Sequence, residues 1–336
     1  MSADPSESEL ATLLASDDVA VRQLALIRQR DEADEAPLAV VLSAVADDDA
    51  TVRSLALDLL EEQLADDPAP DEAARIVAVL GHALDDPDER VKAQAAVVLR
   101  QCRFASAVVP LAALAWQPSA DVRQGALLAL REHRHPDARA AIERCLADTE
   151  PRVRREAVIA IGYLRDPRAT AALPALQNDP DAAVRRLVVS ALGLLGGAQA
   201  EQVAVAGTRD DDWQVRREAA LALGRAGKVA TNTADSSVTA LLGLLDDAYF
   251  QVRKQAIEAL GQYAARGALG QQAASEVAGA LVRHLADPVA DVRKVTALAL
   301  GELSARDAHG AVRALLDDPD AEVKKAVRQA LTRLEA

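Results

Sequence analysis

Aromatic side chains are nearly missing: two Trp, three Tyr and two Phe make up 2% of 336 residues. A core without them must be packed from Ala, Leu and Val, whose small size lets helices approach closely and suits stacked helices better than a globular interior. Cysteine is as scarce. Cys102 and Cys145 stand far apart with no pairing logic, which excludes a disulfide framework and favours a reducing compartment. No apolar run is long enough to span a membrane, and the opening MSADPSESEL has neither a basic segment nor an apolar stretch. The expectation is therefore a soluble, unexported, cytoplasmic protein. Positive charge is also short, with 38 Lys and Arg against 52 Asp and Glu, a formal charge of −14 and a pI near 4.9. That balance disfavours generalised attraction to nucleic acid or anionic membrane, although a local basic stripe would still act.

What the chain does contain is one sentence written ten times. In DPDAAVRRLVVSALG, residues 179–193, Val184, Val188, Ala191 and Leu192 fall on one face of a helix and Arg185 and Arg186 lie beside it. Asp179 and Pro180 read as the helix start, the Asp as acceptor for free backbone amides and the Pro as a first-turn residue. The same pattern recurs at Val21, Val52, Val91, Val122, Val153, Val184, Val215, Val252, Val292 and Val323. Most steps are 31 residues; the exceptions are 39, 37 and 40, at Val52 to Val91, Val215 to Val252 and Val252 to Val292. A fixed period of this size marks stacked supersecondary units that bury their apolar faces against one another. The length therefore reads as a single all-α array of about ten two-helix repeats over 1–336.

Taken in order, residues 1–9 look disordered and 7–30 form an N-terminal cap repeat, in which Arg28 and Gln29 replace apolar residues. The acidic, Pro-rich segment 65–71 lengthens the second spacing. Pro110 and Pro174 lie inside first helices and are expected to kink them. Gly162, Gly193, Gly224, Gly261 and Gly301 end the second helices of repeats five to nine, where a left-handed C-terminal turn is expected. Residues 227–237 form a surface-loop insertion. A second insertion, 265–275, lengthens the next first helix. A C-terminal cap repeat, 307–336, closes the array with Arg328 at an apolar position.

Two charges recur with the valine. The next residue is always basic, and five before it stands Asp in eight copies: Asp47, Asp86, Asp148, Asp179, Asp210, Asp247, Asp287 and Asp318. Such residues repeat in register from layer to layer, so Arg154, Arg185, Arg216 and Arg253 are expected to reach an Asp of their own or the adjacent turn and form a structural ladder. Exposed pairs of this kind contribute only ~0–1 kcal/mol each, so their role is register rather than stability. A second basic residue follows in six consecutive repeats: Arg155, Arg186, Arg217, Lys254, Lys294 and Lys325. It reads either as a stripe for an acidic partner or as compensation for the acidic turns. Trp213 and Phe250 stand two before the valine in adjacent repeats, with Tyr249 beside them, and Arg217 and Lys254 flank the group. Large aromatics among cations read either as an interaction hot spot or as cover for the gap beside 227–237.

The runs of the form DPxxxVRxxAxxALG, as in DPDAAVRRLVVSALG and DDDWQVRREAALALG, resemble the HEAT family, specifically its short bacterial and archaeal branch, the PBS lyase HEAT-like repeats. The resemblance covers about residues 17–334. It implies a right-handed α-solenoid with second helices on the concave surface, which would gather the six basic residues into one stripe. The family serves scaffolds, adaptors and a few enzymes. Iron-dependent deoxyhypusine hydroxylases share the architecture and use His-Glu dipeptides; none exists here, and Glu132-His133 is reversed. His133, His135 and Cys145 lack the spacing of a metal site. No motif supports a bilin lyase, no phosphate-cradling loop is present, and no catalytic residue, metal or cofactor is assigned. The reading is a non-catalytic adaptor that docks another protein, through an acidic segment, on repeats five to ten. Nucleic-acid backbone binding and a metal- or tetrapyrrole-dependent enzyme are its rivals.

Overall fold

Each anchoring valine occupies the same place in a helix. From Val52 to Val323 all are buried, and Val21 is partly covered. The computed structural model describes residues 5–31, 36–65, 67–226 and 234–335, and among these every regular element is helical. The fold class is all-α, a solenoid-type succession of two-helix repeats. It divides into two compact units, Met1–Ala172 and Leu173–Ala336.

In the first unit, first and second helices alternate: Pro5–Leu14 with Val19–Asp31, Leu38–Ala44 with Ala50–Glu62, Pro70–Ala83 with Glu89–Gln101, Val108–Leu114 with Ala120–His133, and Arg139–Cys145 with Pro151–Leu164. The opening helix starts at Pro5, so residues 5–9 are helical where disorder is expected from sequence; residues 1–4 lie outside the described part. In the second unit, Leu173–Asn178 pairs with Ala182–Leu195, Ala198–Gly207 with Trp213–Ala226, Ala234–Gly243 with Phe250–Ala265, Gln271–Val282 with Ala290–Glu302, and His309–Arg313 with Ala321–Glu335. Of the expected loop 227–237, residues 227–233 lie outside the described part and the chain is helical from Ala234. The insertion at 265–275 goes into both neighbours: Phe250–Ala265 runs to 16 residues, Gly267 turns the chain at φ 65°, and Gln271–Val282 follows. Arg28 and Arg328, the polar replacements in the two end repeats, are exposed.

Three local expectations are corrected by geometry. The recurrent Asp is not the N-cap. Asp181, two residues later, caps Ala182–Leu195 by accepting from the Val184 amide at 3.0 Å, and Asp49, Asp88, Asp212 and Asp320 do the same for their helices. Pro180 accordingly stands outside the helix. The prolines do not kink first helices. Pro110 is the third residue of Val108–Leu114, within the first turn, where no intrahelical bond is lost. At Pro174 α-helical geometry gives out altogether, leaving the four-residue helix Pro167–Thr170 and the 3₁₀ turn Leu173–Asn178.

The third correction concerns the glycines. Left-handed backbone occurs at Arg134, Arg165 and Ser304, with φ of 50°, 53° and 48°, and at Gly196, Gly197 and Gly267, but at none of the five glycines expected to supply it. Four of those five face the next second helix instead. A Cβ on Gly193 would lie 2.7 Å from Ala222 Cβ; on Gly224, 3.1 Å from Ala259 Cβ; on Gly261, 3.1 Å from Ala299 Cβ; and on Gly301, 3.0 Å from Ala330 Cα. In each case the glycine stands nine after its valine and the alanine seven after the next. The second helices of the second unit thus repeat one close contact in one register, with backbones brought together because neither side carries bulk.

Candidate interaction face

The repeated contact fixes what each second helix leaves uncovered. On Ala182–Leu195 the residues Arg186, Ser190 and Leu194 follow at intervals of four and so share a face; on Trp213–Ala226, Arg217, Leu221 and Arg225 form the equivalent row. Lys254, Lys294 and Lys325 take the same position on the three later helices.

The ladder charges point elsewhere, along the edge of turns that precede the second helices. Arg22, Arg53, Arg123, Arg185, Arg216, Arg253 and Arg293 each donate through Nε and Nη2 to both carboxylate oxygens of the following repeat's Asp (Asp47, Asp86, Asp148, Asp210, Asp247, Asp287 and Asp318) at 2.6–3.1 Å. The third guanidinium nitrogen donates to carbonyls of its own turn, as Arg185 does to Asp179 and Pro180 at 2.8 and 3.4 Å. Arg154 makes the same bonds to the carbonyls of Asp148 and Thr149, at 2.8 and 3.1 Å. Each of the seven arginines with both sets of bonds thus ties its own turn to the next, which requires a planar fork of five donors that Lys lacks. The carboxylate is held a third time by the amide two residues on, 2.9 Å from Asp210 in the case of Asp212. Burial pushes the Asp210 carboxyl up, and the bonds from Arg185 and the Asp212 amide outweigh it, leaving the group below the usual carboxylate range.

One rung differs. Where Asp would follow Lys92, the chain has Gln117; Lys92 instead bonds Glu89 of its own helix at 2.8 Å and stands 3.9 Å from Asp121. Arg and Asp are absent together.

The second basic residues divide into two kinds. Lys254 and Lys294 both reach Asp291, at 2.8 and 3.1 Å, and are compensated. Arg186, Arg217 and Lys325 have no ion-pair partner among the described residues, nor does Arg225, two turns beyond Arg217 on the same row, and the buried Nε of Arg186 has no hydrogen-bond acceptor. Arg155, the sixth member expected in the stripe, belongs to the first unit and is half-buried.

The aromatic cluster is also rearranged. Trp213 stacks on Tyr249, not on Phe250, with ring centroids 5.2 Å apart and planes 12° from parallel. The Arg216 guanidinium lies 6.0 Å from the Tyr249 centroid, and the Tyr249 amide donates to Asp247, the partner of Arg216. The stacked pair therefore borders the Arg216–Asp247 rung at the turn edge. Phe250 is half-buried at the start of its helix, and Tyr249 is 46% exposed.

A family description of HEAT repeats matches residues 108–176 and 170–261. The match is to residues 108–261, somewhat less than half of the chain, and the helical pairs on either side of it repeat the same pattern. No curated protein matches it in sequence. Among solved structures, a crystal structure of an engineered protein is 21% identical with a TM-score of 0.56, covering 99% of this chain and 100% of that one. A chain from the structure of Kap95p binding to RanGDP is 15% identical with a TM-score of 0.64, and one from the Kap95:Nup1 complex is 15% identical with a TM-score of 0.65; each alignment covers 99% of this chain. This chain spans about half the length of those two, 50% and 51% respectively. At these identities the likeness is one of HEAT-type fold.

His133, His135, Cys102 and Cys145 are engaged locally or buried. His133 Nε2 lies 2.8 Å from the Cys102 carbonyl, whereas the exposed His135 accepts from the Asp137 amide, so the HxH pair does not converge. Burial pushes the thiols of Cys102 and Cys145 up to about 12 and about 11. Sequence reasoning missed two surface features. Trp116, 60% exposed, carries the Arg144 guanidinium 4.4 Å from its ring centroid; its one signal is its place beside Gln117, where the Asp pattern breaks. Leu194 and Leu195, 71% and 45% exposed, end Ala182–Leu195 where other repeats carry Tyr163, Arg225, Gln262 or Glu302.

Proposed function

We propose that this chain of HEAT-like repeats is a non-catalytic, cytoplasmic scaffold or adaptor of the PBS lyase HEAT-like branch, which holds a protein partner through an acidic segment on the second-helix face of repeats six to ten, within the second unit. The observation that carries the reading is that Arg186 and Arg217 occupy the same register on adjacent second helices and have no ion-pair partner among the described residues. In a chain of net charge −14, acidic groups are abundant and the neighbouring ladder arginines all use them. Cations left unmatched in such a molecule give a local positive field that steers an acidic ligand. Lys254 and Lys294 contribute less, since Asp291 already offsets them. Trp213, Tyr249 and Phe250 give an aromatic edge that the partner meets beyond the stripe. Kap95p, similar in fold, is seen with RanGDP and with Nup1, which accords with a binding role for the shared architecture.

The test is a partner isolated from the source organism and titrated against R186E/R217E, K254E and W213A. The double variant lowers affinity at least about tenfold and flattens its salt dependence, while K254E has a smaller effect. Affinity and salt slope unchanged in R186E/R217E overturn the proposal.

A further inference from the structure

On the second helices that carry Arg186 and Arg217, apolar side chains stand beside the arginines, two of them exposed on the first helix and one half-buried on the second. Leu194 and Leu195 are 71% and 45% exposed, at the C-terminal end of the face that begins with Arg186. The contact of Gly193 with Ala222, 2.7 Å to a built Cβ, sets that end against the stretch of Trp213–Ala226 holding Leu221 and Arg225. Gly196 and Gly197 follow at φ 75° and 96°, and a Cβ on either would meet nothing within 4 Å, so the chain leaves this edge open. The next row, Lys254, Glu258 and Gln262, carries no aliphatic side chain, and its lysine is paired to Asp291. Among the described residues of the second unit, exposed leucines beside an unmatched guanidinium group therefore stand on repeat six, with the half-buried Leu221 next to them on repeat seven.

Resting on the docking reading above, we infer that the partner segment is an acidic amphipathic helix, whose apolar stripe covers Leu194, Leu195 and Leu221 and whose carboxylates meet Arg186, Arg217 and Arg225. An extended acidic tail would satisfy the arginines and leave the leucines in water. A helix with carboxylates flanking an apolar stripe satisfies both, because apolar and charged residues alternate on this face at the spacing of helical turns. The occupant is fixed by charge complementarity in a chain that is otherwise acidic, which disfavours a second copy laid face to face.

The experiment uses the full chain and two synthetic peptides of identical composition, rich in Glu and Leu, one ordered as an amphipathic helix and one scrambled to destroy the stripe. Binding is followed by fluorescence anisotropy, with sedimentation equilibrium of the chain alone. The expected result is that the amphipathic peptide binds at least about tenfold tighter than the scrambled one, that L194D/L195D abolishes this preference while keeping the charge-driven part, and that R186E/R217E weakens both peptides. Equal affinity for the two peptides overturns the inference and leaves acidic docking standing. Failure of both peptides to bind overturns it as well. Self-association that L194D/L195D removes identifies the leucines as a contact between copies and also overturns it.

Discussion

Replacing Gly193 with Ala should destabilise the protein, although Ala is the better helix former. The new Cβ would stand 2.7 Å from Ala222 Cβ and 3.3 Å from Ala222 Cα. Ordinary contact begins near 3.4 Å, so the two second helices must part by about 0.7 Å, and both obstructing atoms are fixed to backbone. A gap of that size forfeits a quarter to a half of each dispersion contact across the interface, where Val188, Val189, Leu192, Ala219 and Leu223 are buried. Overpacking of this kind costs about 1–3 kcal/mol, against about 0.5–1 kcal/mol gained from helix propensity, for a net loss centred at about 1 kcal/mol and reaching about 2.5 kcal/mol. Gly279, inside Gln271–Val282, has nothing within 4 Å of a built Cβ, and G279A should gain about 0.5–1 kcal/mol. Urea titrations of the two variants read the difference in sign. Equal shifts in the same direction would refute the close-contact role of Gly193.

Removing a ladder carboxylate leaves a guanidinium largely shielded from water without its partner. Asp210→Ala should lower stability by about 2–4 kcal/mol in the same titration, more than an exposed pair would, since the Arg185 and Asp210 side chains are only 16% and 11% exposed. For Asp148, Asp247 and Asp287 burial raises the carboxyl and the Arg and amide bonds outweigh it; for Asp318 the bond from Arg293 leads, and all four lie below the usual range. Depressed carboxylates stabilise the fold above their unfolded value of about 3.9 and lose that contribution as pH falls through the folded value, so helicity by circular dichroism should hold to about pH 4 and collapse below it. Cys102 and Cys145, buried with raised thiols, should resist a thiol reagent at pH 8 until denaturant is added; fast labelling of the folded chain contradicts their placement.

The repeat and its core could be read directly from the spacing of Val52 to Val323, because burial of one helix face requires that periodicity whatever else the chain does. The ladder was legible as a pairing of types. Its direction was not, since an Arg that could reach its own turn or the next proves to use both, the carbonyls of one and the carboxylate of the other. Four of the five glycines supply a close helix approach where a C-terminal turn is expected, because both demand the same residue; the partner alanine lies on another helix, about 30–40 residues away. Tyr249 rather than Phe250 meets Trp213 because a shift of one residue at a helix start turns the side chain by ~100°. Likewise the neutralisation of Lys254 by Asp291 joins two repeats, and only the packed register brings them together. The recurrence of the second basic residue could be read along the sequence; that exposed leucines lie beside it and that two of its lysines are compensated required the structure.

The most direct test of modules locked in register by Arg and Asp together is to build the rung that is missing. A double-mutant cycle on K92R, Q117D and K92R/Q117D, measured by urea denaturation, should show a favourable coupling of about 1–3 kcal/mol, with the double variant more stable than either single. Effects that merely add, with no coupling between the two positions, would contradict it.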